Sequence, residues 1–292
     1  MTTTRSHGPR LLLSISAAAL ICLLAAQTVA ATGPATVGLG TAAPFAVLAG
    51  TPKVASTGAT VINGNLGISP AGAVTGFPPG IVNGTVHKAD AVALQAQTDL
   101  TTAYTDAAGR PVTATHGTLG GLTLAPGVYN AGGVVLGLTG TLTLDGHNNP
   151  SAVWIFKATS SLVTASSSRV KLINGASSCN VFWQVTSSAT LGSGSTFVGT
   201  IMALASITIA SGVTLHGRAL ARNGQVTLID DTVTSSSCFR GSGSGATPPN
   251  TATAAPTDRP ASGPSPVLFA GLFLVVALLI VSRKSLRIDR SR

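Results

Sequence analysis

A short repeat in the second half of the chain constrains the fold more than any other feature. The segments around Thr190, Thr208 and Thr227 each place a threonine between two apolar residues. Self-similarity with a period of about 20 residues is typical of a solenoid in which each repeat forms one turn. One repeat of this kind is long enough for three strands of about four residues joined by short corners. The spacing therefore predicts a mainly β fold, a β-solenoid of triangular section.

The threonines of these repeats are predicted to form an outward row. Side chains alternate across a strand, so the leucine or isoleucine that follows each threonine points to the opposite side. Burying a Leu or Ile side chain stabilises a fold by roughly 1.5–3 kcal/mol, whereas a threonine hydroxyl gains nothing inside without a partner. We therefore expect Thr190, Thr208 and Thr227 on the surface, about 4.8 Å apart from turn to turn. We call this line of side chains the threonine row.

Small and apolar residues flank the threonine row. Two residues after the threonines come Gly192, Ala210 and Ile229, and the preceding repeat offers Val163 and Ala165 at the matching positions. Such an uncharged strip of methyl and hydroxyl groups suits ordered water as a ligand and does not suit acid–base chemistry. The alternative is an ordinary solvated face, because threonine is a strong β former.

A second column of threonines runs beside the first. It consists of Thr196, Thr214 and Thr232, which are evenly spaced along the chain. The residues expected beside or in line with this column are larger or charged in most turns: Arg169, Val198, His216 and Thr234. We therefore rank this face second as a binding surface.

The composition argues against a helical protein and against a nucleic-acid-binding protein. Glycine is abundant at 34 residues, aromatic residues make up 4%, and glutamate is absent. The formal net charge of +9 arises mainly at the two ends, since residues 31–266 contain ten basic and seven acidic residues. These basic residues neither cluster nor alternate with stacking aromatics, so no nucleic-acid partner is expected.

Residues 1–30 are predicted to be a secretory signal peptide. Arg5 and Arg10 precede an apolar run, and small residues provide a cleavage site before Ala31. The alternative is an anchor that stays uncleaved. A cleaved leader means that the rest of the chain is exported.

Two cysteines remain once the leader, with its Cys22, is removed. They are Cys179 and Cys238. Two cysteines in an exported chain favour a single disulfide, because the compartment outside the cell is oxidising. The alternative is two buried free thiols.

Two further turns and one helix are predicted in the first half of the chain. Residues 61–64 (VING) and 81–84 (IVNG) resemble each other and indicate two turns with Asn-Gly corners. Residues 88–108 lack glycine and carry apolar residues at helical spacing, and Gly109 and Pro111 end the pattern. We expect a helix of about 20 residues. It should lie along the solenoid and block one face from any ligand.

The C-terminal residues are predicted to be a linker and a membrane anchor. Residues 240–266 are rich in Gly, Ser, Pro and Thr, as in extended linkers. Residues 267–282 are apolar, and with their flanks they reach the length of a membrane-spanning helix. The basic residues at 283–292 predict a cytoplasmic tail, which places the solenoid domain, residues 31–239, on the extracellular side.

Four motifs resemble those of the widespread microbial ice-binding (antifreeze) family. They are DLTTAY at 99–104 ahead of GRP at 109–111, LTLAPGVY at 122–129, NVFWQV at 180–185 and GRALARNG at 217–224. The resemblance covers roughly residues 37–233. It implies a discontinuous, right-handed β-solenoid with a long flanking helix. It also implies that the N-terminal turn packs beside the C-terminal turns.

The resemblance also bears on the site. The family's ice site is one flat solenoid face, often with short Thr-Ala/Gly-x-Thr/Asn motifs. Residues 57–60 have that form, which adds Thr57 and Thr60 to the candidate ice-binding residues. Residues 164–167 fit the motif loosely, whereas residues 191–194 depart from it.

The sequence thus predicts an exported, membrane-anchored and monomeric ice-binding protein that limits ice growth or recrystallisation. The alternative is a cell-surface adhesin or structural protein that uses the same solenoid. The histidines are scattered without metal-ligand spacing, and Asp230-Asp231 is an isolated acidic pair. No catalytic residue, metal site or cofactor is therefore predicted.

Overall fold

The computed structural model describes residues 33–235 and the single residue 2. The chain divides into a unit at residues 1–240 and another at 241–292, and every described residue belongs to the first. The described residues form one α-helix, α1 (Ala91–Gly109), and 22 strands. The strands are β1 (Phe45–Ala49), β2 (Lys53–Thr57), β3 (Val61–Asn63), β4 (Asn65–Ile68), β5 (Ala73–Thr75), β6 (Ile81–Asn83), β7 (Val86–Lys88), β8 (Ala114–Thr115), β9 (Thr123–Leu124), β10 (Gly127–Asn130), β11 (Leu136–Leu138), β12 (Thr141–Asp145), β13 (Trp154–Ala158), β14 (Leu162–Thr164), β15 (Arg169–Ile173), β16 (Val181–Val185), β17 (Ala189–Leu191), β18 (Thr196–Ala203), β19 (Ile207–Ile209), β20 (Thr214–Ala221), β21 (Val226–Ile229) and β22 (Thr232–Thr234).

Successive turns of the chain contribute strands to three outer surfaces, and the strands pair in parallel. Face 1 is the outer surface of a seven-stranded sheet, in the order β11, β14, β17, β19, β21, β2 and β5. Face 2 is formed by β12, β15, the first halves of β18 and β20, and then β22, β3 and β6. Face 3 is formed by β10, β13, β16, the second halves of β18 and β20, and then β1, β4 and β7. This mainly β, solenoid-like stack of parallel strands agrees with the predicted fold class.

Faces 2 and 3 belong to one sheet because β18 and β20 run across the corner between them. The bend in each strand falls at a glycine, Gly199 and Gly217, and these two residues pair with each other. Gly199 has a φ of 107°, and a Cβ built there would lie 2.5 Å from the carbonyl oxygen of Val181. A larger residue would therefore strain the backbone and collide with the neighbouring turn.

The stack does not follow the order of the chain. After the C-terminal turn, the next turn in space is the N-terminal one: β1 pairs with β20, β2 with β21 and β3 with β22. The turn of β4, β5 and β6 follows, and β7 pairs with β4 at the end of face 3. The discontinuous arrangement that the family resemblance implied is therefore present.

An aromatic stack fills the middle of the core. The ring of Trp183 lies 4.2 Å from that of Phe156 and 4.7 Å from that of Phe197, and Tyr129 extends the stack beyond Phe156. Phe182, adjacent in sequence, points to the other side of β16 and is buried in a second hydrophobic cluster, beside α1. Alternation along the strand therefore lets only one residue of the Phe182–Trp183 pair face the interior of the stack.

Helix α1 covers face 3. Asp90 caps its N-terminus, because the carboxylate accepts a hydrogen bond from the backbone N–H of Ala93 at 2.8 Å. One side of the helix is buried, through Ala93, Ala96, Leu100, Ala103, Tyr104 and Ala107. The helix predicted over residues 88–108 therefore exists, although it begins only at Ala91, and it blocks this face as expected.

The N-terminal residues 33–44 form a strap that crosses the turns beside the helix. Thr36 contacts Asn180 (3.4 Å), and the backbone N–H of Thr41 donates to Asp99 of the helix (2.7 Å). The buried guanidinium of Arg218 then donates to the carbonyl oxygen of Ala43 (2.6 Å). Arg218 thus has a structural role at the junction between the C-terminal and N-terminal turns.

Several predictions fall outside the described residues. These are the signal peptide, the linker, the apolar segment at 267–282 and the basic tail. Cys179 is disulfide-bonded, but its predicted partner Cys238 is not among the described residues. No helix within residues 33–235 is long and apolar enough to cross a membrane.

Candidate functional site

The threonine row lies on face 1 in the predicted register. Thr190 pairs with Thr208, and Thr208 pairs with Thr227. The inward neighbours of these threonines are fully buried, which leaves the threonine side chains on the outside. Thr190 is exposed, and Thr208 and Thr227 are partly exposed. Strand alternation therefore places the row as the sequence predicted.

The row is longer than the three threonines. Val163 pairs with Thr190, as expected, and Gly137 pairs with Val163. On the other side Thr227 is followed by Ala55 and then by Thr75, both from the N-terminal turns. The complete row is Gly137, Val163, Thr190, Thr208, Thr227, Ala55 and Thr75. Sequence reasoning missed Ala55 and Thr75, because the repeat connects only turns that are consecutive in the chain.

A second line of small residues follows the row on the side of the corner with face 2. It contains Ala165, Gly192 and Ala210, and then Ile229, which pairs with Thr57. A Cβ built on Gly192 would lie 2.5 Å from the backbone of Ala165, so only glycine fits this close approach. Thr57 is exposed in this flanking line and is not part of the threonine row.

Thr60 is not on face 1, and its inclusion among the candidate residues was wrong. The side chain is fully buried, and its hydroxyl accepts a hydrogen bond from the backbone N–H of Asp231 (3.3 Å). Residues 57–60 turn the corner between faces 1 and 2, with Gly58 at a φ of 80°. The second threonine of the motif is therefore carried inside by the turn that the glycine makes possible.

The strands of face 1 carry almost no charge. Among their described residues, only Lys53 is charged, and it lies at the beginning of β2. On the side of the threonine row away from face 2 the surface is hydroxylated, and the hydroxyl groups of Ser188 and Ser206 lie 3.0 Å apart. Face 1 is thus a mixed surface of methyl and hydroxyl groups without an acid–base pair.

Face 2 carries the second threonine column, also in register. Thr196 pairs with Thr214, and Thr214 with Thr232. Val61 and Ile81 continue the column at one end, and Arg169 and Thr141 at the other. The adjacent line includes exposed Lys171 and His216. This face is therefore less uniform than face 1.

The sequence-based prediction was wrong for one residue beside the second threonine column. Val198 was expected to point outward, but it is buried at 6% exposure in the main core cluster. Its partner His216 is likewise followed by a glycine, Gly217, and stays exposed, so the bend in the strand does not explain the burial of Val198. Thr234 does lie in the expected line, where its hydroxyl accepts from Asn63, whose amide oxygen in turn accepts from Asn83.

The acidic pair lies at the corner between faces 1 and 2. Asp230 is exposed and accepts a hydrogen bond from the backbone N–H of Ala59 (2.6 Å). Asp231 is buried, and burial raises its pKa to about 7 against the opposing effect of two backbone N–H donors. The two carboxylates thus hold the turns together at a corner. Within residues 33–235 no three His, Cys, Asp or Glu side chains are grouped as a metal site.

Comparison with known proteins identifies the family to which this chain is similar. A family model described as ice-binding-like matches residues 47–234. The chain belongs to this family. A curated ice-binding protein of Nostoc sp. (strain HG1) is 48% identical over 206 residues, which are 69% of this chain and 74% of the relative. This is a family of ice-binding proteins and not a family of enzymes, which agrees with the sequence-based prediction.

Solved structures of the family have the same fold. One is the crystal structure of an ice-binding protein from an Antarctic biological consortium, with 47% identity and a TM-score of 0.68 over 70% of this chain and 92% of that one. Another, from the Antarctic ascomycete Antarctomyces psychrotrophicus, is 43% identical with a TM-score of 0.66 and covers 68% of this chain and 98% of its own. The family resemblance seen in the sequence is therefore confirmed.

Proposed function

We propose that this chain binds ice and that it adsorbs to the crystal through face 1, so that it limits ice growth or recrystallisation. The observation that carries the proposal is the threonine row with its extension, a line of uncharged side chains held in register across seven parallel strands. Membership of a family whose relatives are named ice-binding proteins supports it.

The three faces differ in what they can offer to ice. Face 3 is covered by α1 and is closed to a solid surface. Face 2 carries Arg169, Lys171 and His216. Their long, hydrated side chains would interrupt a regular layer of ordered water on this face. Among the described residues, the strands of face 1 contain one charged side chain, that of Lys53 at the beginning of β2, so the centre of the face is free of charge. Face 1 is therefore the surface that we assign to ice.

The sheet makes face 1 a regular surface. Neighbouring strands lie about 4.8 Å apart, and side chains on one side of a strand recur about every 6.7 Å. β-Branched threonine and valine are stiff at χ1, so their methyl and hydroxyl groups keep fixed positions on this grid. Water next to such a grid is held in a repeated arrangement. A rigid array loses little side-chain entropy when it binds, and this favours adsorption to a crystal.

A pair of tyrosine substitutions tests the choice of face. Thr208→Tyr puts a bulky ring in the middle of face 1, and Thr214→Tyr does the same on face 2 in the adjoining strand. We expect Thr208→Tyr in a protein of residues 31–240 to lose thermal hysteresis and inhibition of recrystallisation, while Thr214→Tyr keeps both. Circular dichroism confirms that both variants are folded. Loss with Thr214→Tyr alone would move the site to face 2.

The N-terminal extension of the row allows a gain-of-function test. Ala55→Thr would make the row continuous in threonine from Thr190 to Thr75, since Ala55 lies between Thr227 and Thr75. Val61→Thr is the matched control, because Val61 follows the threonine column of face 2 in the same turn. We expect Ala55→Thr to raise thermal hysteresis and Val61→Thr to leave it unchanged. A gain with the control alone contradicts the assignment.

The finer features of the chain are part of the proposal. We infer a right-handed solenoid of triangular section, a disulfide between Cys179 and Cys238, and a monomer. We also infer export by the leader and retention at the cell surface by residues 267–282. Protease added to intact cells should release the ice-binding domain by cleaving within residues 240–266. Protection of the domain from protease would contradict this orientation.

A second candidate function is adhesion to a polymer or to another cell. The predicted linker and anchor favour it, because they would hold the same solenoid away from the membrane. Binding of the purified domain to glycans or cells, with no effect on ice crystals, would support adhesion and reject ice binding.

A further inference from the structure

At the end of face 1 formed by β11 and β14, exposed valines replace the threonine and serine side chains of the following turns. Two valines are exposed there: Val135 at 44% and Val163 at 43%. Val163 is in the row itself, beside Thr190. Val135 immediately precedes β11, whose first residue hydrogen-bonds to the carbonyl oxygen of Ser161. It therefore takes the place that serine occupies in the following turns. We call Val135 and Val163 the valine sector.

The exposure of these valines is built into the surrounding turns. The residue of the row between Val135 and Val163 is Gly137, which has no side chain to cover them. The strands β11 and β14 contain no charged residue. Two stiff, β-branched side chains thus stand on an open and uncharged surface.

Ice is the occupant that suits this surface, because the sector is continuous with the proposed ice face. Water beside a methyl group forms no bond with it and keeps its bonds to other water molecules, which orders the first layer. Fixed methyl groups that continue the grid of the threonine row extend that ordered layer. We infer that the ice-contacting surface includes the valine sector, and that this sector acts through methyl groups alone. This inference rests on the proposed function.

Substitutions that add a charge or a hydroxyl group test whether the valine sector contacts ice through its methyl groups. The alternative is that the sector is a part of face 1 that does not contact ice. Val163→Thr keeps the shape and one methyl group and adds a hydroxyl, whereas Val163→Lys and Val135→Lys place a hydrated charge in the sector. In full-length protein we expect each lysine variant to lose most of the thermal hysteresis and Val163→Thr to keep it. Ala73→Lys is the matched control for a lysine at the far edge of face 1, and we expect it to keep more activity than either sector variant.

The outcomes distinguish this inference from the proposed function. Full activity in both lysine variants, together with loss in Thr208→Tyr, overturns the valine sector and leaves face 1 as the ice site. Full activity in Thr208→Tyr as well removes face 1 altogether. Sedimentation of each variant tests a second copy as the occupant: dissociation of a dimer by Val135→Lys without change in ice activity would overturn the inference. An unfolded variant is recognised by circular dichroism, and Val135→Thr then serves in its place.

Discussion

Asp231 makes the stability of this fold depend on pH in an unusual direction. Its carboxylate lies between β21 and β22 and accepts hydrogen bonds from the backbone N–H groups of Ile229 (2.7 Å) and Val213 (2.9 Å). Burial raises its pKa from the usual 3.8 to about 7, and the nearby charge of Asp230 acts in the same direction. The folded protein therefore binds this proton more tightly than the unfolded chain does.

The sign of the effect follows from this difference. Between about pH 4 and pH 7 the folded protein holds a proton that the unfolded chain has released, so the stabilising contribution is complete below pH 4 and is lost as the pH rises towards 7. The difference between the folded and unfolded pKa values corresponds to a change of at most about 4 kcal/mol in the free energy of unfolding. The adjacent Asp230 is exposed, so this corner borders solvent, and screening reduces the limit. We expect the free energy of unfolding to fall by about 2 kcal/mol between about pH 4 and pH 7.

Asp231→Asn isolates this contribution because asparagine does not titrate. Urea unfolding of both proteins at several pH values gives the free energy of unfolding of each. The carboxylates with lowered pKa values, such as Asp90, Asp99 and Asp145, are the same in both and cancel in the difference. The wild type should lose stability relative to Asp231→Asn as the pH rises from about 4 to 7. A difference that is constant, or that grows in favour of the wild type, would refute the reasoning.

Two further substitutions test individual contacts. Ser56→Ala should raise the free energy of unfolding by about 1 kcal/mol, because the Ser56 hydroxyl is buried without a hydrogen-bond partner among the described residues; a clear loss in urea unfolding would show that the hydroxyl has a partner. Thr60→Val should lower it by about 1 kcal/mol, because the bond from the Asp231 backbone is lost, yet should leave thermal hysteresis intact. Loss of ice activity in folded Thr60→Val would return this residue to the site.

The threonine row could be predicted because its residues follow two sequence periods at once, the length of one solenoid turn and the alternation of side chains along a strand. One turn of the solenoid takes a nearly constant length of chain, and alternation along a strand decides which side chains face outward. Thr190, Thr208 and Thr227 satisfy both conditions, with buried leucine and isoleucine on the other side. The helix was also predictable, since a glycine-free segment with apolar residues at helical spacing interrupts the strands. Local pattern was sufficient wherever consecutive turns are consecutive in space.

The errors arose at corners, where period and alternation give no information. Thr60 matched a short motif, but the motif does not record that the chain turns at Gly58 and carries the second threonine inside. Val198 was also predicted wrongly, because alternation along β18 groups it with its exposed partner His216, yet Val198 is buried. At Thr60 the positive φ of Gly58 redirects the chain, and at Val198 the packing of the neighbouring turns decides the burial, and neither is recorded in the pattern of the sequence.

The extent of face 1 could not be read from the repeat at all. Ala55 and Thr227 come from the first and last turns of the described chain, yet they are direct partners in neighbouring strands. The family resemblance implied that the N-terminal turn packs beside the C-terminal turns, but it did not give the register. With β2 and β5 the sheet has seven strands, which spans about 29 Å from the first strand to the last. A surface that binds a crystal gains contacts with each strand in register, so the N-terminal turns enlarge the proposed site as well as closing one end of the core.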